Sequence, residues 1–159
     1  MAAPFNQYLA PLLPFLIVGW WLFVIYLLAA ASGWRLLARR FRLQGEFTGQ
    51  KWRMQSARLR WMISFNNCLT IGADETGLFM APMLLFRPWQ PPLFIPWAEI
   101  SYAGTSGIVF KYVDLQLGRS ENIPFKISSS LAAKLQAATG PGWPTEYNRA
   151  MQAPPPPIE

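Results

Sequence analysis

The sequence predicts an α+β architecture: one apolar N-terminal helix of transmembrane length, then a mainly β domain of about seven strands closed by a C-terminal helix. Three observations carry that expectation. Residues 12–31 contain no charged side chain, and the first charge in the chain is Arg35. From Arg58 onward apolar residues recur at every second position, the period of a strand. After Ser128 the recurrence becomes helical, with Leu131 and Leu135 on one face.

The apolar run comes first. Its 20 residues, 12–31, would span roughly 30 Å as a helix, the thickness of a bilayer's hydrocarbon. Twelve of them are Leu, Ile, Val or Phe. Together these favour insertion by about 4–7 kcal/mol on a translocon scale. Pro14 falls in the first turn, where a missing N–H costs little. Trp20 and Trp21 lie mid-span, where lipid-facing bulk is a simpler reading than a helix seam. Ala29-Ala30-Ala31 matches a leader-cleavage pattern. No basic region precedes the run, however, and the run is longer than a leader's apolar core, so a retained anchor is expected. No charge lies before the run, and five basic residues follow within 20 positions. The positive-inside rule then predicts residues 1–11 outside and the rest of the chain on the cytoplasmic side of a cell inner (plasma) membrane, crossed once.

Charge is concentrated just beyond the anchor. The chain has net charge +6, and residues 35–60 hold eight basic side chains against Glu46 alone. Beyond residue 60 acids and bases nearly balance. This distribution fits anionic lipid headgroups and argues against nucleic acid as a partner. Within the juxtamembrane segment 32–50, Trp34, Leu37, Ala38 and Phe41 share one helical face. The expected membrane-surface residues are Trp34, Arg35, Arg39, Arg40 and Arg42. Whether residues 32–42 lie on the bilayer or continue the anchor helix is left open by the pattern. Residues 44–56 show no clear period and read mostly as linker.

The strand pattern then runs through a single unit, expected to span 51–140. Residues 58–65 alternate as a first strand, with Asn66-Asn67 as a turn, 69–73 as a second strand and 78–81 as a third. After the proline-rich stretch 87–92 come strands at 93–97 and 100–103. The run 108–117 alternates longest, and 121–127 follows with Ile123, Phe125 and Ile127 inward. Pro124 suggests that the last strand is an edge or bulged. A helix capped by Ser128 or Ser129 runs to Ala138 and stops at Gly140-Pro141-Gly142. The tail 141–159, with four prolines at 154–157, reads as extended and disordered.

Gly77-Leu78, followed by Pro91-Pro92-Leu93-Phe94-Ile95-Pro96-Trp97-Ala98-Glu99-Ile100, resembles the motif run of bacterial pleckstrin-homology-like (PH-like) domains. More closely, the chain resembles a family of small bacterial membrane proteins carrying that domain after one anchor. The resemblance covers residues 50–138. It implies a bent barrel plugged by its last helix, and no catalytic activity.

The chemistry is mostly one of exclusion. There is no histidine and only one cysteine, Cys68. Ser–His–Asp and Cys–His catalysis, His-based metal sites and an internal disulfide are therefore ruled out. No cofactor or metal pattern is present, and a non-enzymatic interaction module is expected. The aromatic, proline-stiffened loop supplies the candidate protein-binding residues Phe86, Arg87, Trp89, Phe94 and Trp97. The plainer reading of Trp97 is a core side chain beside a locally paired Glu99. Specific phosphoinositide binding is not expected, because the presumed first hairpin loop, Asn66 to Cys68, is short and uncharged.

Overall fold

The computed structural model describes residues 10–60 and 63–153. Residues 1–9, Trp61 and Met62 of the expected first strand, and the proline run 154–157 lie outside the described residues. Helix α1, Leu13–Ala31, is the apolar run. Its first half is uncovered among the described residues: Phe15, Ile17 and Trp20 are 75%, 64% and 68% exposed. Its last turns behave differently. Ile25 and Ala29 are buried, and Trp21, Leu22 and Leu28 half-buried, along the stripe that continues to buried Ser32.

The chain does not continue straight. Gly33 takes a left-handed φ of +78°, and a new helix, α2 (Trp34–Phe41), starts at once. A side chain at position 33 would collide with Ile123, so both conformation and space call for glycine here. Ser32 helps the reversal: its hydroxyl accepts the Trp34 N–H at 3.3 Å. The apolar face of α2, predicted from the spacing of Trp34, Leu37 and Phe41, is buried in the main core rather than turned to lipid. Residues 32–42 therefore neither lie on a surface by their apolar face nor extend α1.

A curled, antiparallel seven-stranded sheet forms the half-barrel that α2 enters. Its strands are β1 (Gln50–Leu59), β2 (Ile63–Ala73), β3 (Gly77–Pro82), β4 (Leu93–Pro96), β5 (Ile100–Ser106), β6 (Tyr112–Leu117) and β7 (Ile123–Ser128). The spatial order is β4-β3-β2-β1-β7-β6-β5. Inward residues include Leu69, Ile71, Leu78, Met80, Val113, Leu115, Ile123, Phe125 and Ile127. Helix α3, Ser129–Thr139, packs against β2, β6 and β7, with Leu131 and Leu135 buried. Ser128 caps it, accepting the Leu131 N–H at 3.3 Å.

Several expected strand limits change. The stretch 58–65 is not one strand but a hairpin, because Leu59 pairs directly with Ile63. The alternation survives the reversal, so the period alone hides it. Asn66-Asn67 is not a turn; Asn67, at φ +52°, forms a bulge inside β2, bonded to the Ser56 hydroxyl. The expected linker 44–56 contains most of β1, whose burial pattern is largely exposed and so leaves no apolar period. Residues 42–43 strap the outer edge, with Arg42 bridging Leu93 and the Leu43 N–H donating to the Pro92 carbonyl at 2.9 Å. The run 108–117 yields only Tyr112–Leu117 as strand.

Pro124 sits in an interior strand. Its carbonyl accepts the Arg60 N–H at 2.8 Å, so its nitrogen also faces β1, just beyond the last β1–β7 pair. The bond its missing N–H forgoes is the return bond to the Arg60 carbonyl, at the end of the β1–β7 pairing, where the ladder stops in any case.

The packed unit is also wider than 51–140. Trp34, Leu37 and Phe41 join the core from one side. From the other, Trp143 and Tyr147, the latter in helix α4 (Thr145–Gln152), are buried in it as well. The segment 141–152 is therefore part of the fold, not an extended tail. A fragment of residues 51–140 should accordingly show a broad, weakly cooperative melt, whereas residues 33–153 should melt in one sharp transition. Equal cooperativity in calorimetry would show that the flanking aromatics add nothing.

Candidate functional site

Three features distinguish this domain from a featureless half-barrel: the arginines of α2, the loop between β3 and β4, and the tip between β5 and β6. The arginines divide by surroundings. The Arg35 guanidinium lies over the Tyr26 ring of α1, 4.9 Å from its centroid. Arg39 and Arg42 are exposed. Arg40 instead reaches the barrel: it bonds the Ser120 hydroxyl at 2.6 Å and pairs with Glu99 at 3.2 Å and Glu121 at 3.7 Å. Trp34 is fully buried and donates its indole N–H to the Pro91 carbonyl at 2.9 Å. It is a core residue, not the interfacial one its basic neighbours suggested.

The β3–β4 loop is folded tightly. Its first turn, Leu84–Phe86, is 3-10 helix, held by Phe86 N–H to Met83 and Arg87 N–H to Leu84. Met83, Leu84, Leu85 and Trp89 point outward, with Leu84 74% exposed. Phe86 is half-buried and Arg87 exposed. Trp89 has a left-handed φ of +60° and meets Tyr26 edge-on, ring centroids 6.0 Å apart. Phe94 turns away from this surface, packing on Phe47, which stacks on Phe79 at 4.7 Å. Trp97 is buried against Trp143 and donates to the Asp74 carbonyl at 2.9 Å. Of the five loop candidates, then, Arg87 and Trp89 are at the surface, Phe86 and Phe94 half-covered, and Trp97 in the core. Burial of Trp97 and pairing of Glu99 with Arg40 match the plainer reading of that pair.

Beside the loop lies a cleft of about 440 Å³ whose lining includes Lys51, Arg53, Arg87, Met83 and Leu84 and no acidic residue. Lys51 sits over the Phe47 and Phe79 rings at 5.6 and 5.3 Å. No local pattern points to this grouping, because Lys51 and Arg53 are 34 or more positions from Arg87. The first hairpin reverses between Leu59 and Ile63, not at Asn66 to Cys68, and Arg60 donates to the Ala31 carbonyl at the end of α1, at 3.3 Å.

The β5–β6 tip departs from the strand its alternation predicts: Ile108, Val109 and Phe110 are 99%, 82% and 73% exposed. Three consecutive large apolar side chains in water are costly unless something covers them.

Three titratable groups depart from ordinary values; burial, and then the neighbouring Tyr102, push the Tyr147 hydroxyl up. Burial pushes the Cys68 thiol up, away from the reactive thiolate. Burial would also raise Asp74, but hydrogen bonds outweigh it. The Thr76 hydroxyl and the N–H groups of Thr76 and Gly77 reach its Oδ1 at 2.7, 2.8 and 2.9 Å and hold it below the usual carboxylate value. Among the described residues no three His, Cys, Asp or Glu side chains converge as metal ligands.

No family model, curated protein or solved structure matches the chain.

Replacing Asp74 by Ala should lower stability by about 1 kcal/mol, the net worth of such bonds. Because the native carboxyl titrates below its unfolded value of about 3.9, this contribution is present above that pH and lost as pH falls through the lowered native value. The melting difference between wild type and Asp74→Ala should therefore shrink in acid. For the arginines, Arg40→Gln should cost up to about 1 kcal/mol, as for a part-exposed pair, and Arg39→Gln nearly nothing. Equal losses in thermal melts would refute that division.

Proposed function

We propose that this chain is a membrane-anchored, non-enzymatic interaction module, its PH-like half-barrel held at the cytoplasmic face of a bacterial inner membrane. The carrying observation is the state of α1. Its first half is apolar and uncovered, while its last turns are docked on the domain. Only 11% of its most apolar 18-residue window is buried, unlike a soluble core helix. A removable leader also fits poorly. Cutting after the Ala29–Ala31 stretch would strip off a buried alanine and a carbonyl that Arg60 bonds. Seven antiparallel strands followed by a plugging helix support the PH-like reading, together with the Gly77-Leu78 and Pro91 to Ile100 motif.

The module reading also needs a displayed contact, and Ile108-Val109-Phe110 supply one suited to an apolar pocket on a protein partner. This tip lies about one strand length, roughly 17–20 Å, from the exit of α1. Ile123 abuts Gly33 at one end of β7, and Ser129 bonds the Lys111 carbonyl beyond the other. A second reading, an accessory subunit gripped by its anchor within a larger membrane complex, draws on the Trp20–Phe23 pair on the uncovered face, centroids 6.0 Å apart.

The anchor is tested by washing membranes in alkali: the full-length chain, with its N-terminus intact by mass, should stay with the pellet. A reporter active only outside the cytoplasm, fused to the C-terminus, should stay silent; strong activity would invert the orientation. Changing Ile108, Val109 and Phe110 together to Ser should leave the melt within about 0.5 kcal/mol, as for surface sites, yet abolish copurification of any partner. Partners retained by that variant but lost on replacing Trp20 would favour the subunit reading.

A further inference from the structure

We propose that the loop Met83–Trp89 is a second membrane element, inserted among lipids beside α1, with Arg87 and the neighbouring basic cleft facing phosphate headgroups; this rests on the reading of α1 as a membrane anchor. Four observations converge on lipid as the occupant. First, the loop presents Met83, Leu84, Leu85 and Trp89 at 46%, 74%, 59% and 47% exposure, an apolar cap with no cover among the described residues. Second, that cap is continuous with the anchor. Trp89 contacts Tyr26, and Phe23 and Leu27, next to Tyr26 on α1, are 51% and 47% exposed.

Third, the level of contact is informative. Tyr26 lies five residues before the end of α1, roughly 7–8 Å back along its axis. The loop thus meets α1 within its apolar run, not beyond it. At that level the Tyr26 ring meets both Trp89, near perpendicular with centroids 6.0 Å apart, and the Arg35 guanidinium, 4.9 Å from its centroid. An aromatic pair joined to a cation is the chemistry of a membrane–water interface, where rings sit at headgroup depth and arginine reaches phosphate. Fourth, charge beside the cap is of one sign: Arg87, Arg53 and Lys51 line the adjoining cleft with no acid among them. A protein-filled groove needs no such bias, whereas an anionic surface rewards it.

The consequence is a domain that sits in the headgroup layer, fixed by helix and loop together, rather than swinging from a tether. The test uses the full chain with Cys68→Ala, reconstituted in vesicles of phosphatidylethanolamine and phosphatidylglycerol. Single cysteines at Leu84, Leu85, Val18 and Lys134 carry a spin label. Lys134 is exposed on α3 and serves as the aqueous reference. Collisions with dissolved oxygen report lipid, and those with a charged nickel chelate report water. Labels at 84 and 85 should favour oxygen severalfold over the label at 134, as at 18. If 18 reads lipid but 84 and 85 read water, the loop proposal fails while the anchor stands. If 18 itself reads water, the anchor reading fails and the loop proposal with it. Labels at 84 and 85 shielded from both reagents would mean that protein, a second copy or another chain, covers the loop, and the proposal is wrong.

Discussion

Burial of Trp34 is the constraint on which the remaining arrangement depends. The residue follows the sharp reversal at Ser32 and Gly33, packs against Phe65 with ring centroids 5.9 Å apart, and bonds the Pro91 carbonyl. One side chain thereby joins three parts: the end of α1, the inner face of the sheet, and the loop that leads into β4. A buried tryptophan is worth about 3–5 kcal/mol against truncation to alanine, enough to hold a helix connection that would otherwise be a swivel. With Trp34 placed, Leu37 and Phe41 follow it into the core and the arginines between them are forced outward, Arg35 and Arg40 to different neighbours and Arg39 to the open surface.

That dispersal explains why one basic run performs separate tasks. Arg35 faces α1 and Arg40 faces the corner formed by Glu99, Ser120 and Glu121. Arg39 and Arg42 are left exposed. Arg40 is 47% exposed, so its pairs align α2 with the strands more than they stabilise it.

The domain keeps its apolar surplus at two places: the loop at 83–89 beside α1, and the tip at 108–110 beyond the far end of β7. Neither is needed for the core, which is closed by α2, α3 and the Trp143–Tyr147 segment. Such separation suits a module that is held at one end and offers a contact at the other.

By itself the sequence determined the apolar helix, the α+β class, the inward faces of β7 and α3, and the exclusion of histidine chemistry, because composition and short-range period are local properties. It also made α2 amphipathic, but not what its apolar face would meet. Tertiary structure alone decided that Trp34 and Trp97 lie in the core, that Asn67 serves a bulge, and that Ile108 to Phe110 leave the ladder. It also brought Lys51 and Arg53 to Arg87. The physical reason is the same in each case. A period of two or 3.6 states that one face differs from the other, and it is indifferent to whether protein, lipid or water lies against that face. Hairpin reversals and bulges preserve or reset the period without a distinctive residue, so strand limits and the partners of each face follow only from long-range pairing and the closure of the sheet.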